Sequence, residues 1–401
     1  MKIKLTVLIM LISLFVSVLS GCAKEASPVS TDAIETTRIT ETAGPEQQDT
    51  PESAEPSASP APGTDTGDPA EKKAEIENTV YTVSSVEEIT AILVENITYF
   101  PSVLNFDVTA LEEQGDVISD DMMNGYNGLT SYYPDLKYMY DYTPSYTEGA
   151  GTATCTMKYM PFMTGEIDTM TLPDGTVDIY SLKDLKTVAN NGMGEESMPI
   201  AIRNQELTVD DMSNALHQAG YGYILYQLGE DGMSIYATPD DGMTMQEAVE
   251  EIEMLKEKAA EIAASVVTPD MTDDEKIQAL YRYIIDNVVY DPLEVTNVGL
   301  YPKTDSTAYG SLILNLAICS GYSWGVNMLC EAEGIECYNV EGYWGGVGHM
   351  WNYMEYNGEY LYFDATSDRG QGEYPGAFAV TAEICAFSHE FDDDFYQRLV
   401  Q

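Results

Sequence analysis

The chain has 401 residues, of which 18 are basic and 67 are acidic, so its formal net charge is −49. A charge of this sign repels phosphate backbones and anionic lipid surfaces, which excludes nucleic acid as a partner and electrostatic docking on a membrane. It suits solubility or the recognition of cationic amine groups.

The N-terminal residues predict export and a lipid anchor. Lys2 and Lys4 precede an apolar run over 5–18, which is shorter than the ~20 residues that a membrane-spanning helix needs. The ending Leu19-Ser20-Gly21-Cys22 resembles the lipobox of bacterial lipoproteins, whose cysteine is acylated and becomes the mature N-terminus. The resemblance implies a signal peptide over 1–21, lipidation of Cys22 and attachment to the extracytoplasmic face of the cell membrane. The alternative is an ordinary cleaved signal with an incidental cysteine.

A disordered tether is predicted after the lipidated cysteine, over 22–78. Ala, Ser, Thr, Pro, Glu and Asp dominate this stretch, and large apolar side chains are almost missing. Such a composition cannot bury enough surface to offset the entropy lost on ordering. We expect the tether to hold the folded part clear of the lipid headgroups.

An α/β accessory region is predicted over 79–267, either as one body or as two units over 79–190 and 191–267. Helix and strand signals recur in a similar order in both parts, although the sequence similarity is too weak to indicate a repeat. The signals are the capping pattern Ser84-x-x-Glu87 between extended stretches at 80–83 and 103–108, a two-strand pattern over 142–160, an extended 200–202, a helix capped near Thr208, strands at 223–228 and 233–236, and a long helix opened by Thr244-x-x-Glu247. Nothing in either part suggests catalysis. His217 has no acidic or cysteine partner at a useful spacing, so we expect it to be structural.

The C-terminal part contains a helix whose first residue is a candidate nucleophile. A capping box, Thr272-x-x-Glu275, opens an amphipathic helix that ends near Pro292. Further on, the pattern after Cys319 is helical and Gly334 is well placed to end the helix. Cys319 at a helix N-terminus would be favoured as the thiolate, and backbone amides there could receive an oxyanion. A buried cysteine at the start of a core helix is the alternative.

A predicted hairpin places a histidine and a carboxylate on the same face. Asn357-Gly358 predicts a type I′ turn, which pairs Tyr356 with Glu359. Continuing this register places His349 and Asp364 on the same face as diagonal neighbours, roughly 7–8 Å apart between Cα atoms. A slip of one residue would put them on opposite faces.

These motifs resemble the transglutaminase-like superfamily, a branch of the papain-like cysteine fold. The motifs are Cys319-Ser320-Gly321-Tyr322-Ser323, His349-Met350-Trp351-Asn352 and Phe363-Asp364-Ala365-Thr366, and the likeness covers about 268–390. It implies an α+β fold with a transglutaminase-like (papain-like) domain over 268–401. Met350 and Ser367 depart from the family pattern, in which a small residue and an aromatic residue are usual, and both could reshape the cleft.

The resemblance also implies roles for single residues. Cys319 attacks a carboxamide or peptide carbonyl, His349 exchanges the proton, and Asp364 orients His349. The Cys319 backbone N–H is an expected oxyanion donor. Tyr322 and Trp351 are candidate walls of the substrate cleft, with core packing as the equal alternative. His389 has no counterpart in the motif and is expected to be structural.

The remaining cysteines and acidic residues suggest no further site. Cys155, Cys330, Cys337 and Cys385 match no disulfide framework or zinc signature, so we expect buried free thiols. The cluster Asp392-Asp393-Asp394 lies in no EF-hand loop, which argues against a calcium-dependent enzyme. We expect no metal and no cofactor.

Two functional hypotheses follow. The first is a surface-anchored thiol acyl-transfer enzyme acting on protein or peptide amides, either as a peptidase or amidase or as a transglutaminase. The second is a catalytically silent transglutaminase-like module that binds or scaffolds at the cell surface, because a fold does not dictate a function. An intact triad favours the first hypothesis. The expected partners are a protein or peptide substrate and, through acylated Cys22, the lipid membrane.

Overall fold

We describe the protein from a computed structural model, which covers residues 68–112, 115–130, 132–240, 242–291, 304–370 and 376–401. The predicted signal peptide, the lipidation site Cys22 and the tether up to residue 67 lie outside these ranges. Within them, no helix combines the length and the apolar character needed to cross a bilayer.

The first element is a helix, α1 (Pro69–Asn78), at a place where the sequence predicted disorder. Asp68 caps it by accepting a hydrogen bond from the Ala70 N–H, and Ile76 is 2% exposed. The Glu77 carbonyl accepts a hydrogen bond of 2.9 Å from Asn105 Nδ2. The Glu77 carboxylate also accepts hydrogen bonds from the N–H and the hydroxyl of Ser102. The predicted end of the tether at residue 78 was therefore wrong, because the buried Ile76 and these contacts of Glu77 attach the segment to the sheet.

The first unit is an α/β layer built on a four-stranded sheet. Its further elements are β1 (Val80–Thr82), α2 (Val86–Asn96), β2 (Val103–Asp107), α3 (Val117–Leu129), β3 (Met139–Thr147) and β4 (Thr152–Tyr159). The strand order is β1-β2-β4-β3, with β1 parallel to β2 and the other pairs antiparallel.

The second unit repeats this plan. It consists of β5 (Val177–Ile179), α5 (Leu182–Asn191), β6 (Ser197–Ile202), α6 (Val209–Leu216), β7 (Ile224–Leu228) and β8 (Ser234–Pro239), and the short helix α4 (Pro161–Thr164) precedes it. Its strand order is β5-β6-β8-β7, again with a parallel first pair and antiparallel others. The expectation of two α/β units of similar plan is thus confirmed in topology. The sequence analysis placed the boundary between the two units at residues 190 and 191. Because β5 pairs with β6, the second sheet begins before that boundary.

The C-terminal domain follows a long helix, α7 (Met245–Val266). Its elements are α8 (Asp273–Asn287), β9 (Val289–Tyr290), β10 (Leu316–Ala317), α9 (Cys319–Ala332), β11 (Cys337–Trp344), β12 (Val347–Tyr356), β13 (Glu359–Phe363), α10 (Ala365–Asp368), α11 (Ala382–Cys385), β14 (His389–Glu390) and α12 (Asp393–Leu399). An antiparallel sheet has the order β13-β12-β11-β14, and β9 pairs with β10 in a separate parallel ribbon. The predicted α+β class is confirmed.

Two hydrophobic cores stabilise the described chain. One lies in the first unit and includes Leu93, Phe106 and Met157. The other is continuous from the second unit into the C-terminal domain and includes Ile200, Ile252 and Leu329. The second unit is therefore packed as part of the C-terminal body, whereas the first unit has a core of its own.

Candidate active site

Cys319 is the first residue of α9, as the sequence predicted. The parallel pair β9–β10 leads the chain to this point, and Ile318 N–H donates to the Asp305 carbonyl at 3.0 Å. Cys319 is 6% exposed. The N–H groups of a first helical turn point toward the helix N-terminus, and the helix dipole favours negative charge there. The position therefore suits a thiolate and an oxyanion.

Glycine permits the close packing of α9. A Cβ at Gly321 would lie 2.2 Å from the Asp305 carbonyl oxygen, and a Cβ at Gly325 would lie 2.2 Å from Ser311 Oγ. These contacts leave no room for a side chain. The start of the helix is consequently held against the segment around residues 304–311.

Hydrogen bonds align α9 with the strand that carries His349. Ser323 Oγ lies 2.8 Å from the Trp351 carbonyl, and Asn352 Nδ2 donates to the Ser323 carbonyl at 3.0 Å. Cys319 lies about one helical turn before Ser323, and His349 lies two residues before Trp351. Farther along, Cys330 Sγ lies 4.0 Å from Met354 Sδ, so helix and strand run in the same direction. This alignment brings Cys319 and His349 to the same end of the helix–strand pair.

The hairpin has the predicted register. Tyr356 pairs with Glu359 and Asn352 pairs with Phe363. Asn357 and Gly358 both have positive φ, +55° and +79°, as a type I′ turn requires. The pairing ends at Asn352 and Phe363, because Asp364 begins a helix, so the ladder does not continue to His349 as predicted. The predicted proximity of the two side chains is confirmed, since His349 Nε2 lies 3.0 Å from Asp364 Oδ2.

Asp364 is buried and accepts hydrogen bonds on both oxygens. Oδ1 accepts from Thr366 N–H at 3.0 Å and from Ser367 N–H at 3.1 Å, which makes Asp364 the cap of α10. Oδ2 accepts from His349, from the Ser367 hydroxyl and from His389 Nε2, the last at 3.2 Å. Burial alone would raise the pKa of Asp364, but the hydrogen bonds from His349, His389 and Ser367 lower it well below its usual range. The carboxylate is therefore ionised and held in one orientation.

The two predicted cleft residues lie in the interior. Tyr322 and Trp351 are each 1% exposed. Tyr322 donates its hydroxyl to the Val288 carbonyl at 2.6 Å. Trp351 stacks beneath His349, with ring centroids 5.6 Å apart at 25°. Since neither side chain reaches the surface, the alternative of core packing describes both, and the cleft assignment was wrong.

Two residues near the site were not found by sequence reasoning. Trp344 is 52% exposed, and its ring lies 6.0 Å from that of His349. The turn at Gly345-Gly346, with φ of +58° and +78°, places it there, and this glycine pair was an available hairpin signal. His389, expected to be structural only, contacts Asp364 because β14 pairs with β11.

His349, Asp364 and His389 also have ligand atoms within 4.8 Å of one another, a spacing that could hold a metal ion. Both Nε2 atoms and Oδ2 are already joined by hydrogen bonds, and Oδ1 accepts two more. We therefore interpret the three residues as a hydrogen-bonded network. His217 lies elsewhere, as the C-cap of α6.

The other predicted thiols are as expected. Cys155, Cys330, Cys337 and Cys385 are buried and form no disulfide within the described ranges. Burial raises the pKa of Cys155 and of Cys385 to about 12. Cys155 and Cys385 are therefore poor nucleophiles near neutral pH.

Residues 260–365 match the family model of the Transglutaminase-like superfamily. This part of the chain is a transglutaminase-like domain. The match begins within α7 and ends directly after Asp364, so it contains Cys319, His349 and Asp364.

Two solved structures are similar to this chain. One is described as a "Putative Cysteine Protease from Cytophaga hutchinsonii", with 17% identity and a TM-score of 0.23, over 33% of this chain and 50% of that one. The other is described as a "TGase", with 17% identity and a TM-score of 0.24, over 50% of this chain and 61% of that one. The matched regions thus span between half and about three-fifths of these proteins. No curated protein matches the chain.

Proposed function

We propose that the protein is a thiol acyl-transfer enzyme that acts on protein or peptide amides through Cys319, His349 and Asp364. The observation that carries this proposal is the 3.0 Å contact between His349 Nε2 and Asp364 Oδ2. The strand of His349 is aligned with the helix that begins at Cys319. A buried carboxylate bonded to one imidazole nitrogen directs the other nitrogen toward a nucleophile. A transglutaminase-like domain over 260–365 is consistent with this chemistry.

The reaction has two steps. The Cys319 thiolate attacks the amide carbonyl, and the N-terminal turn of α9 receives the negative charge of the oxyanion. When the C–N bond breaks, His349 protonates the leaving amine through Nδ1, and a thioester with Cys319 remains. Water or a primary amine then attacks the thioester, His349 takes the proton of the attacking group, and the thiolate is restored. Asp364 stabilises the His349 imidazolium in both steps.

The nature of the acceptor distinguishes a hydrolase from a transferase. Attack by water makes the protein a peptidase or amidase, and attack by a lysine amine makes it a transglutaminase. The net charge of −49 favours a cationic, lysine-rich substrate or acceptor, because an acidic body attracts it. We further propose that the enzyme works at the cell surface, anchored through Cys22.

The first experiment that tests this proposal compares the rates at which the cysteine thiols are alkylated. The protein is treated with iodoacetamide between pH 5.5 and 7.5, and the labelled cysteines are identified by mass spectrometry. We expect Cys319 to react at least tenfold faster than a buried, neutral thiol, because only the thiolate is nucleophilic. Cys319→Ala removes the fast phase, and Cys155→Ala is the matched control that leaves it unchanged. Labelling of Cys319 at the rate of the buried thiols would exclude the proposal and favour a silent module.

A second measurement identifies the acceptor. Wild type and Cys319→Ala are incubated with casein and a fluorescent primary amine. Covalent incorporation of the amine indicates transfer, whereas casein fragments without incorporation indicate hydrolysis. Either product must be missing with Cys319→Ala and present with Cys155→Ala.

A further inference from the structure

His389 and His349 donate to the same oxygen of Asp364. The Nε2 atom of His389 lies 3.2 Å from Asp364 Oδ2, and that of His349 lies 3.0 Å from it. His389 is 6% exposed, and its ring centroid lies 5.5 Å from that of His349. The carboxylate therefore stands between two imidazoles in a buried site.

The hydrogen bond at the other ring nitrogen, Nδ1, decides whether the His389 ring is neutral or an imidazolium. Nδ1 lies 2.9 Å from Ser388 Oγ and 3.3 Å from the Cys385 carbonyl. If the Ser388 hydroxyl donates to Nδ1, the ring is neutral and its proton is on Nε2. If Nδ1–H donates to the carbonyl, the ring is an imidazolium that also carries a proton on Nε2. In both forms Nε2–H donates to Asp364.

The fold around His389 keeps it at this place. Trp344 pairs with His389 in the β11–β14 ladder. A Cβ at Gly342 would lie 2.2 Å from the Glu390 carbonyl oxygen, so glycine is needed for β14 to approach. The Trp351 ring packs against His389 at 4.6 Å between centroids. The imidazole is consequently held on Asp364 by its neighbours on both sides.

We propose that His389 is a positioning residue of the triad, which fixes the Asp364 carboxylate and shares its Oδ2 with His349. A carboxylate oxygen that already accepts a hydrogen bond from His389 attracts the proton of His349 less strongly. His349 then releases its proton more readily to the leaving amine than it would if only Ser367 shared Oδ2 with it. This role rests on the proposed function, because it concerns the same reaction.

Few other groups near Asp364 change charge between pH 7 and 9. Burial raises the pKa of Cys385 to about 12, and burial together with Asp368 raises the pKa of Tyr281 well above 10. Burial raises the pKa of Asp368, and the hydrogen bond that its carboxylate accepts from Tyr281 opposes this rise. When the labelling rate of Cys319 is plotted against pH, the alkaline limb of the curve therefore reports on the two imidazoles and on Cys319.

The test uses iodoacetate and the full-length protein. An anionic reagent reacts fastest while His349 is an imidazolium, so its rate of reaction with Cys319 falls as His349 loses its proton. His389→Phe keeps an aromatic ring against Trp351 but has no donor. His389→Gln keeps an N–H donor but cannot be charged. Phe387→Ala is the matched control, because this side chain lies two residues before His389 and is 86% exposed, and the variant should label like wild type.

We expect the alkaline limb of His389→Phe to move up by about 0.5–1 pH unit, because Asp364 then holds the His349 proton more strongly. In His389→Gln, the alkaline limb should stay in place or move up by less than in His389→Phe. The maximal labelling rate of the Gln variant should be within threefold of wild type. Near-ultraviolet circular dichroism shows which variants are folded. If His389→Phe does not fold, His389→Gln decides alone, because a folded Gln variant that loses tenfold or more in rate contradicts the proposal.

Other outcomes separate the two proposals. A folded His389→Phe protein with the limb and rate of wild type would show that His389 has no part in the triad. An equal loss in the Phe and Gln variants without any shift of the limb would reduce His389 to a packing role. If the labelling of wild type has no alkaline limb, or if it persists in Cys319→Ala, the proposed function itself fails, whatever His389 does.

Discussion

Replacing Gly321 by alanine sets two effects of similar size against each other. Gly321 lies in the first turn of α9, and alanine in place of glycine stabilises a helix interior by about 1 kcal/mol. The added Cβ would meet the Asp305 carbonyl oxygen at 2.2 Å, the Ala317 Cβ at 2.9 Å and the Thr307 carbonyl oxygen at 3.0 Å. Two of these neighbours are backbone atoms, which cannot rotate away.

The clash should outweigh the propensity. Overpacking a filled interior costs about 1–3 kcal/mol, so after the propensity gain of about 1 kcal/mol we expect a net loss of up to about 2 kcal/mol in the free energy of unfolding. Ordinary contact begins at 3.4 Å, and reaching it from 2.2 Å requires a movement of about 1.2 Å. A displacement of about 1 Å at a reacting group can reduce the rate about 100-fold. The labelling of Cys319 should fall together with the stability.

Urea unfolding and the rate of iodoacetamide labelling measure the two quantities. Gly128 in α3 is the matched control, because it is helical and exposed, and a Cβ there would meet nothing within 4 Å. Gly128→Ala should gain up to about 1 kcal/mol and leave Cys319 unchanged. If Gly321→Ala is as stable as Gly128→Ala and labels normally, the tight seating of α9 is not what positions the nucleophile.

Three further predictions concern the rest of the site. Asp364→Asn should reduce turnover by about 10⁴-fold. The Thr366 and Ser367 N–H groups hold an acceptor oxygen at the Oδ1 position, so the amide NH2 group would face His349 Nε2, cannot accept its proton and favours the wrong tautomer. Steady-state kinetics would measure this, and a loss below tenfold would contradict it. The ionised Asp364 has a lowered pKa, so it stabilises the folded state above the unfolded value of ~3.9, and this contribution disappears as the pH falls through its folded value. The urea midpoint of Asp364→Asn should therefore fall less between pH 5 and 3 than that of wild type, and parallel curves would refute the assignment. Gly358→Ala should cost about 1 kcal/mol of stability, since its φ is +79° and no neighbour is within 4 Å, without changing Cys319 labelling; a thermal melt that matches wild type would show that the turn can relax.

Local signals were sufficient for the helix start and the hairpin. Asn357-Gly358 has a strong turn preference, and once the turn is placed, the alternation of side chains determines which residues share a face with His349. Cys319 was placed by the helical pattern that follows it. These parts of the site depend on neighbours in sequence, so a single sequence was enough to predict them.

The contacts missed by sequence reasoning are long-range. His389 reaches Asp364 because β14 adds to the outer edge of β11, and a two-residue strand has no periodicity that would reveal its partner. The burial of Tyr322 and Trp351 depends on how α9 packs against the sheet, which no local pattern indicates. The helix at 69–78 was missed because only Ile76 marks its buried side.

The two separate cores have a consequence for how the protein can be divided. Most buried side chains of the first unit form an interior of their own, so we expect this unit to open as a separate cooperative unit while the remaining body keeps most of its packing. The second unit cannot be removed in this way. Gln218 exchanges two hydrogen bonds of 2.9 Å with the backbone of Asn339, and Asn339 Oδ1 lies 2.8 Å from Ser323 Oγ, on the helix that begins at Cys319. A pulling force applied at the N-terminal side should therefore unfold the first unit before it disturbs the helix that begins at Cys319.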